Sequence, residues 1–278
     1  MMQRPTLTRR QALAFAALAV GLPAQAQLKS GDDPDGSPRW KQVRASLYGD
    51  RPIVDGGDRV ITLEAPGRAE DAAIVPIAIR AAFAQTAERH IRQVTLVIDN
   101  NPSPIAAIFS YTLDSGRADI ETRVRIDEYT FVRAIAETND GQLYSSTRFV
   151  KAAGGCSAPP GKDPLAAKAS LGQIRLRVAE APARQPVLAQ LMINHPNDSG
   201  MVMDQLTRQY TPAHFVRKVD VTYAGKRVLS ADLDFSISEN PNLRFYFVPT
   251  EAGGELKAQV VDTQDLHFEQ GLSLRPAL

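Results

Sequence analysis

Along most of this chain apolar residues recur with a period of two, a spacing that strands satisfy and helices do not. The cleanest run sets Ile120, Thr122, Val124 and Ile126 against Glu121, Arg123 and Arg125, one face for a core and the other charged. Ile61, Leu63 and Ala65 repeat the pattern. So do Val75, Ile77 and Ile79, then Val94, Leu96 and Ile98, then Ile105, Ala107, Phe109 and Tyr111. Pro76 predicts an edge position for its strand, because proline has no N–H to give a neighbour. Val132 to Ala136, the turn Asn139-Asp140-Gly141 and the return Leu143 to Val150 read as a hairpin. Short strands with turns at this spacing predict an antiparallel β-sandwich of immunoglobulin-like kind.

A second set follows. Ile174 to Val178, Val187 to Ile193, Val219 to Tyr223, Val228 to Leu229, Leu243 to Phe247, Leu256 to Val260 and Leu266 to Phe268 are separated by turn residues. The dense turn His195-Pro196-Asn197-Asp198-Ser199-Gly200 falls among them. The two sets share strand spacing but no internal sequence repeat. Ahead of the first, Ser37-Pro38 reads as a helix N-cap and first position. Trp40, Val43 and Leu47 give the helix one apolar side, and Gly49 ends it. The fold class expected is all-β: two immunoglobulin-like antiparallel sandwiches joined by a linker, with a short N-terminal helix. The expected boundaries are 37–152 for the first unit, 153–172 for an arm and linker, and 173–270 for the second. A two-turn helix is expected within the linker, begun by Asp163-Pro164, running through Leu165-Ala-Ala-Lys-Ala to Ala169 and ended by Gly172.

Residues 1–26 read as a targeting segment. Arg4, Arg9 and Arg10 precede an apolar run from Gln11 to Leu22, and Ala24-Gln25-Ala26 is an A-x-A cleavage site. The run is shorter than the roughly 20 residues that span a bilayer. The arginine pair after Thr8 is of twin-arginine type. Export to the periplasm with cleavage near Ala26 is therefore expected. Without this segment 29 basic residues face 31 acidic ones, a balance that points to neither nucleic acid nor a membrane surface as partner.

The chain holds one cysteine, Cys156, in the stretch Lys-Ala-Ala-Gly-Gly-Cys-Ser-Ala-Pro-Pro that closes the first unit. An exported chain with one thiol makes no internal disulfide. Gly154 and Gly155 before it predict a flexible arm presenting the thiol. One thiol also builds no iron–sulfur or zinc–thiolate centre, and Cys-x-x-Cys-His is absent, so neither metal nor cofactor is expected. A thiol enzyme would need a base, and the candidates are His90, His195, His214 and His267, none of them near Cys156 in sequence. The chain contains no His-Glu-x-x-His, phosphate-binding glycine loop or Gly-x-Ser-x-Gly. Asp32, Asp33 and Asp35 lack the bidentate glutamate of a calcium loop. No catalytic residue is predicted.

Two stretches carry a resemblance. Ile61 to Cys156, ending Leu143-Tyr144-Ser145-Ser146-Thr147 … Gly154-Gly155-Cys156, resembles SoxY, the sulfur-substrate carrier of periplasmic thiosulfate oxidation. Leu191 to Asp262 resembles its partner SoxZ, through His195-Pro196…Gly200, Pro212-Ala213-His214-Phe215, Gly225-Lys226-Arg227-Val228-Leu229 and Ser238-Glu239-Asn240-Pro241. The order is that of a fused SoxYZ, similar to the quinoprotein dehydrogenase-associated SoxYZ-like carriers. The resemblance implies immunoglobulin-like halves that pack on each other and Cys156 as the covalent attachment point for a sulfur intermediate. It also implies partners among periplasmic sulfur-oxidation enzymes, or a quinoprotein dehydrogenase or cytochrome c. The family's carrier arm ends Gly-Gly-Cys-Gly-Gly at a free C-terminus. Here Ser157-Ala158-Pro159-Pro160 and a whole second unit follow, so the arm is tethered at both ends. The alternative expectation is a non-catalytic adaptor in which the thiol carries nothing.

Overall fold

The computed structural model describes residues 29, 31–55, 57–159, 161, 169–178, 182–204, 207–250 and 252–275. The expected targeting segment, and the helix expected in the linker as far as Lys168, lie outside the described residues.

The N-terminal helix α1 (Pro38–Tyr48) forms as its sequence dictates. Ser37 Oγ accepts from the Trp40 N–H, Pro38 occupies the first turn, and the Gly49 N–H closes the last turn on the Ala45 carbonyl. The helix lays Trp40 and Tyr48 on a small apolar cluster with Val97, Ile135 and Leu143.

The rest is strand. The first half contributes β1 (Ile53–Asp55), β2 (Ile61–Glu64), β3 (Val75–Ala81), β4 (Ile91–Ile98), β5 (Ile105–Tyr111), β6 (Ile120–Val124), β7 (Thr130–Thr138) and β8 (Leu143–Val150). The second contributes β9 (Ile174–Val178), β10 (Val187–Ile193), β11 (Val216–Tyr223), β12 (Lys226–Leu233), β13 (Asn242–Phe247), β14 (Gly254–Asp262) and β15 (His267–Leu274). They form two sheets. The larger runs β1-β8-β7-β4-β5-β12-β11-β14-β15 and the smaller β2-β3-β6-β13-β10-β9.

Both sheets pass without a break from one half to the other. In the larger, β5 pairs antiparallel with β12, from Tyr111 opposite Leu229 to Ala107 opposite Leu233. In the smaller, Glu121 and Ile120 of β6 pair with Arg244 and Phe245 of β13. The immunoglobulin-like units are thus merged edge to edge, and one apolar core runs through both, from Ile61 and Phe109 to Phe245 and Leu256.

The halves repeat each other in topology. Each strand from β2 to β8 has a counterpart seven strands later, and the strand orders reflect through the junction as a two-fold arrangement would require. The sequence shows no trace of this, because sandwich strands demand only alternation and not identity.

Two local readings need correction. β3 lies between β2 and β6 and is not an edge strand. However, its pairing with β2 reaches only from Ala81 to Ala78, so Pro76 meets β6 alone and its missing N–H falls where no partner strand runs. Arg125, assigned with Glu121 and Arg123 to the charged face, is buried at 7% exposure. β6 ends at Val124, and past that point the alternation no longer decides which way a side chain faces.

Candidate functional site

Cys156 sits where the two halves meet, and its turn is folded down. The Gly154 N–H donates to the Asp127 carbonyl (2.8 Å) and the Gly155 N–H to the Ile126 carbonyl (2.9 Å). From the second half, Ser199 Oγ donates to the Cys156 carbonyl at 2.5 Å. Just downstream, the Gly161 N–H donates to Glu239 (3.1 Å). The thiol is 1% exposed.

The two glycines therefore serve different needs. Gly154 adopts φ +79°, which a side chain would strain, although its missing Cβ would point into open space. Gly155 has no room. A Cβ there would lie 2.1 Å from the Ala72 carbonyl oxygen and 2.7 Å from that of Ile126. The flexible arm expected from the sequence is, in this structure, a turn held by backbone hydrogen bonds and close packing.

Arg125 builds the other wall. Its guanidinium donates to the carbonyls of Asn197 (2.7 Å), Phe235 (2.9 Å), Ile237 (3.0 Å) and Pro196 (3.3 Å), all in the second half. Its own N–H donates to the Ser236 carbonyl (2.7 Å). One side chain from the first half thus gathers two loops of the second, and one of those loops supplies Ser199. Asn101 and Ser238 add further ties, to Ser236 Oγ (2.9 Å) and the Ala73 carbonyl (2.7 Å) respectively.

Burial pushes the Cys156 thiol up from its ordinary value of 9 to about 12. Asp127 adds to the rise, and the nearby Arg125 charge opposes it. Burial likewise lowers the pKa of Arg125, against the attraction of the thiol, Glu239 and Asp198. At pH 7 a pKa near 12 leaves roughly one thiol in 100,000 as the reactive thiolate, so the seated sulfur is chemically quiet.

None of the four histidines hydrogen-bonds the thiol among the described residues. His195 and His214 are instead clasped on Asp262. His195 Nε2 lies 3.4 Å and His214 Nε2 2.7 Å from Asp262 Oδ2, with the two rings edge to face at 4.6 Å. Asp262 Oδ1 accepts from the N–H groups of Gln264 and Leu266. Two imidazoles and a carboxylate at this spacing have the make-up of a metal centre. The hydrogen bonds argue otherwise. The Asn197 N–H donates to His195 Nδ1 (3.0 Å), which places the ring proton on Nε2, the atom a metal would need. A ligating histidine normally donates from its second nitrogen, whereas here that nitrogen accepts. The cluster is a clasp that fastens the 194–215 loop to the end of β14. Sequence reasoning missed it because its three members are scattered between residues 195 and 262.

Burial, helped by His214, lowers His195 to a pKa of about 4 against Asp262's opposing pull. A folded pKa below the unfolded value of about 6.5 means that the unfolded chain binds the proton more tightly. The contribution is full above pH 6.5 and is lost as pH falls towards 4. It amounts to about 3 kcal/mol. Urea unfolding should therefore show stability falling across that window, and His195→Gln should flatten the fall. An identical pH profile in the variant would refute the assignment.

Two merged immunoglobulin-like units with a single thiol folded into their seam are what the fold and the site define. Comparison with known families makes this particular. Residues 44–156 match the family model described as sulfur oxidation protein SoxY, and residues 174–273 match that of sulphur oxidation protein SoxZ. The chain belongs to the SoxYZ sulfur-oxidation family, as a fusion with SoxY first. No curated protein matches it. Solved structures give remote likenesses only. A superoxide reductase (neelaredoxin) from Ignicoccus hospitalis is 14% identical over 33% of this chain and 78% of its own, at a TM-score of 0.30. A glycosyl hydrolase family 2 member from Bacteroides cellulosilyticus is 12% identical over 83% and 30%, at 0.23.

Proposed function

We propose that the protein is a periplasmic carrier that holds a sulfur-containing intermediate covalently on Cys156, and that it has no catalysis of its own. The observation that carries this reading is the placement of the sole cysteine. The SoxY match ends on Cys156, and the turn bearing it is seated by residues of both halves. Attachment follows ordinary thiol chemistry. In exchange, the thiolate attacks a sulfur–sulfur bond. One such bond forms as another breaks, and a sulfur anion leaves. In oxidative coupling to a sulfur anion, the S–H bond breaks as the sulfur–sulfur bond forms, the thiol proton goes to solvent, and the two electrons released pass to an acceptor on the partner enzyme. Either route requires the turn to leave its seat, because the seated thiol is protonated and shielded. The residues described contain no helix long and apolar enough to cross a membrane.

The burial of the thiol favours a second reading. In it the chain is an adaptor for a quinoprotein dehydrogenase or cytochrome, and Cys156 only packs. Cys156→Ser separates the two. A carrier loses all sulfur oxidation in the source bacterium and every sulfur adduct on the intact protein, while the melting temperature moves little. An adaptor keeps its phenotype. Protein purified from its native compartment with an unmodified thiol under every sulfur supply would sink the carrier reading.

A further inference from the structure

The outer face of the smaller sheet carries a charge pattern that the fold does not use. Inward positions on β2, β3, β6, β13, β10 and β9 fill the core, and the outward ones alternate with them. The outward side chains include five arginines (Arg80, Arg123, Arg244, Arg175 and Arg177), two glutamates (Glu64 and Glu121), and neither lysine nor aspartate. Glu121 is fully engaged, bound at 2.6 Å by Arg80 and at 2.6 Å by Arg244. Glu64 lies 3.8 Å from Arg80. Arg123, Arg175 and Arg177 make no ion pair among the described residues.

The strand register orders these groups. Pro76 faces Arg123, Met192 faces Asn242, and Met192 faces Arg175. Glu121 opposite Arg244 brings Asn242 level with Arg123, so one row reads Pro76, Arg123, Asn242, Met192, Arg175, with no acid. That row lies at the end of β6 that continues through Arg125 and Ile126 into the seat of Cys156. The face is also grooved, with about 620 Å3 of space beside Pro76, Ala78, Arg123 and Arg244. Uncovered arginine beside Met192, on a face that also carries Tyr246 and no lysine, is the composition of a contact surface rather than of a merely solvated one. The outer face of the larger sheet offers a contrast, for there Lys218 pairs with Asp232 (3.4 Å) and Lys257 with Glu269 (2.9 Å).

We propose that the outer face of the smaller sheet is the docking surface for an acidic protein, the enzyme that loads or unloads Cys156; this rests on the carrier reading. The partner's carboxylates pair with Arg123, Arg175 and Arg177, and the thiol turn stands at the rim of the contact. Such pairing acts chiefly on encounter, so it is sensitive to salt.

The test uses the purified full chain, periplasmic extract of the source bacterium and thiosulfate, with intact mass reporting the adduct on Cys156. The natural protein should load at a rate that falls about tenfold between 50 and 300 mM NaCl. The variant R123E/R175E/R177E should load at least about tenfold more slowly at low salt, with a flat salt response. Its glutamine counterpart, R123Q/R175Q/R177Q, should fall between them and guards against misfolding, as does an unchanged melting temperature. No adduct on the natural protein overturns the carrier reading and the docking face with it. An adduct formed equally fast on the natural protein and on both folded variants overturns the docking face alone. Salt-dependent co-sedimentation with phosphatidylglycerol vesicles, lost in the variants while loading persists, overturns it in favour of a membrane.

Discussion

Gly155→Ala is expected to drive the Cys156 turn out of its seat. The added methyl would meet two backbone carbonyl oxygens, of Ala72 and Ile126, at 2.1 and 2.7 Å. Neither is the end of a flexible side chain, free to swing aside. Ala72 O also accepts from the Ile126 N–H, which joins the approach to β3 with the exit of β6. The cheaper response is for the turn itself to leave. Once released, the thiol should return from about 12 towards its ordinary value of 9, which raises the thiolate fraction about a thousandfold. The lower intrinsic nucleophilicity of the more acidic thiol takes part of that back. Alkylation by iodoacetamide at pH 7.5 should therefore rise on the order of 100-fold. Gly154→Ala is the matched control. Its Cβ meets nothing within 4 Å, so only the φ of +79° is strained, at about 1 kcal/mol. Its labelling rate should rise far less. Equal rates in the natural protein and the Gly155 variant would show that the seat is not what shields the sulfur.

Arg125→Met should produce the largest loss of stability of any single change at the seam. Four carbonyls of the second half, those of Pro196, Asn197, Phe235 and Ile237, lose a charged donor together. Bonds to a charged group contribute more than neutral ones, and buried acceptors left without a partner add their own penalty. Methionine keeps most of the packing volume, so the loss isolates the polar part. It should be on the order of 4 kcal/mol in urea unfolding. The same change should quicken labelling of Cys156, because the 196–199 turn that supplies Ser199 loses its anchor. A loss below about 1 kcal/mol would mean that the loops hold their places unaided.

The strands were legible because each needs only its own alternation and its own turns. Asn139-Asp140-Gly141 and Ala224-Gly225-Lys226 marked their hairpins, and Ser37, Pro38 and Gly49 bounded α1. Hidden from the sequence was everything that depends on what a strand meets sideways. Ile105 to Tyr111 has the same pattern whether β5 is an open edge or, as here, hydrogen-bonded to β12 more than a hundred residues away. The three-residue β1, parallel to β8, is too short to show a period. Arg125 looked like the next charged residue of an outward face, because the pattern does not reveal that β6 has ended. That Cys156 is the sole thiol and closes the first half was legible. Its environment was not, because Gly-Gly before a thiol is read equally well as reach or as close approach. In this structure Gly155 is the second.

The continuity of both sheets across the seam has a consequence for how such a protein is made. Were the two halves separate chains, each would present two unpaired strand edges until it found the other, β5 and β6 on one side and β12 and β13 on the other. Open edges recruit wrong neighbours as readily as right ones. Joined in one polypeptide, the second half meets its partner at the high effective concentration that a tether provides, whatever the abundance of the protein. Synthesis then guarantees equal numbers of the two halves. The ribosome takes over a task of quality control that a two-gene arrangement must leave to chance collision.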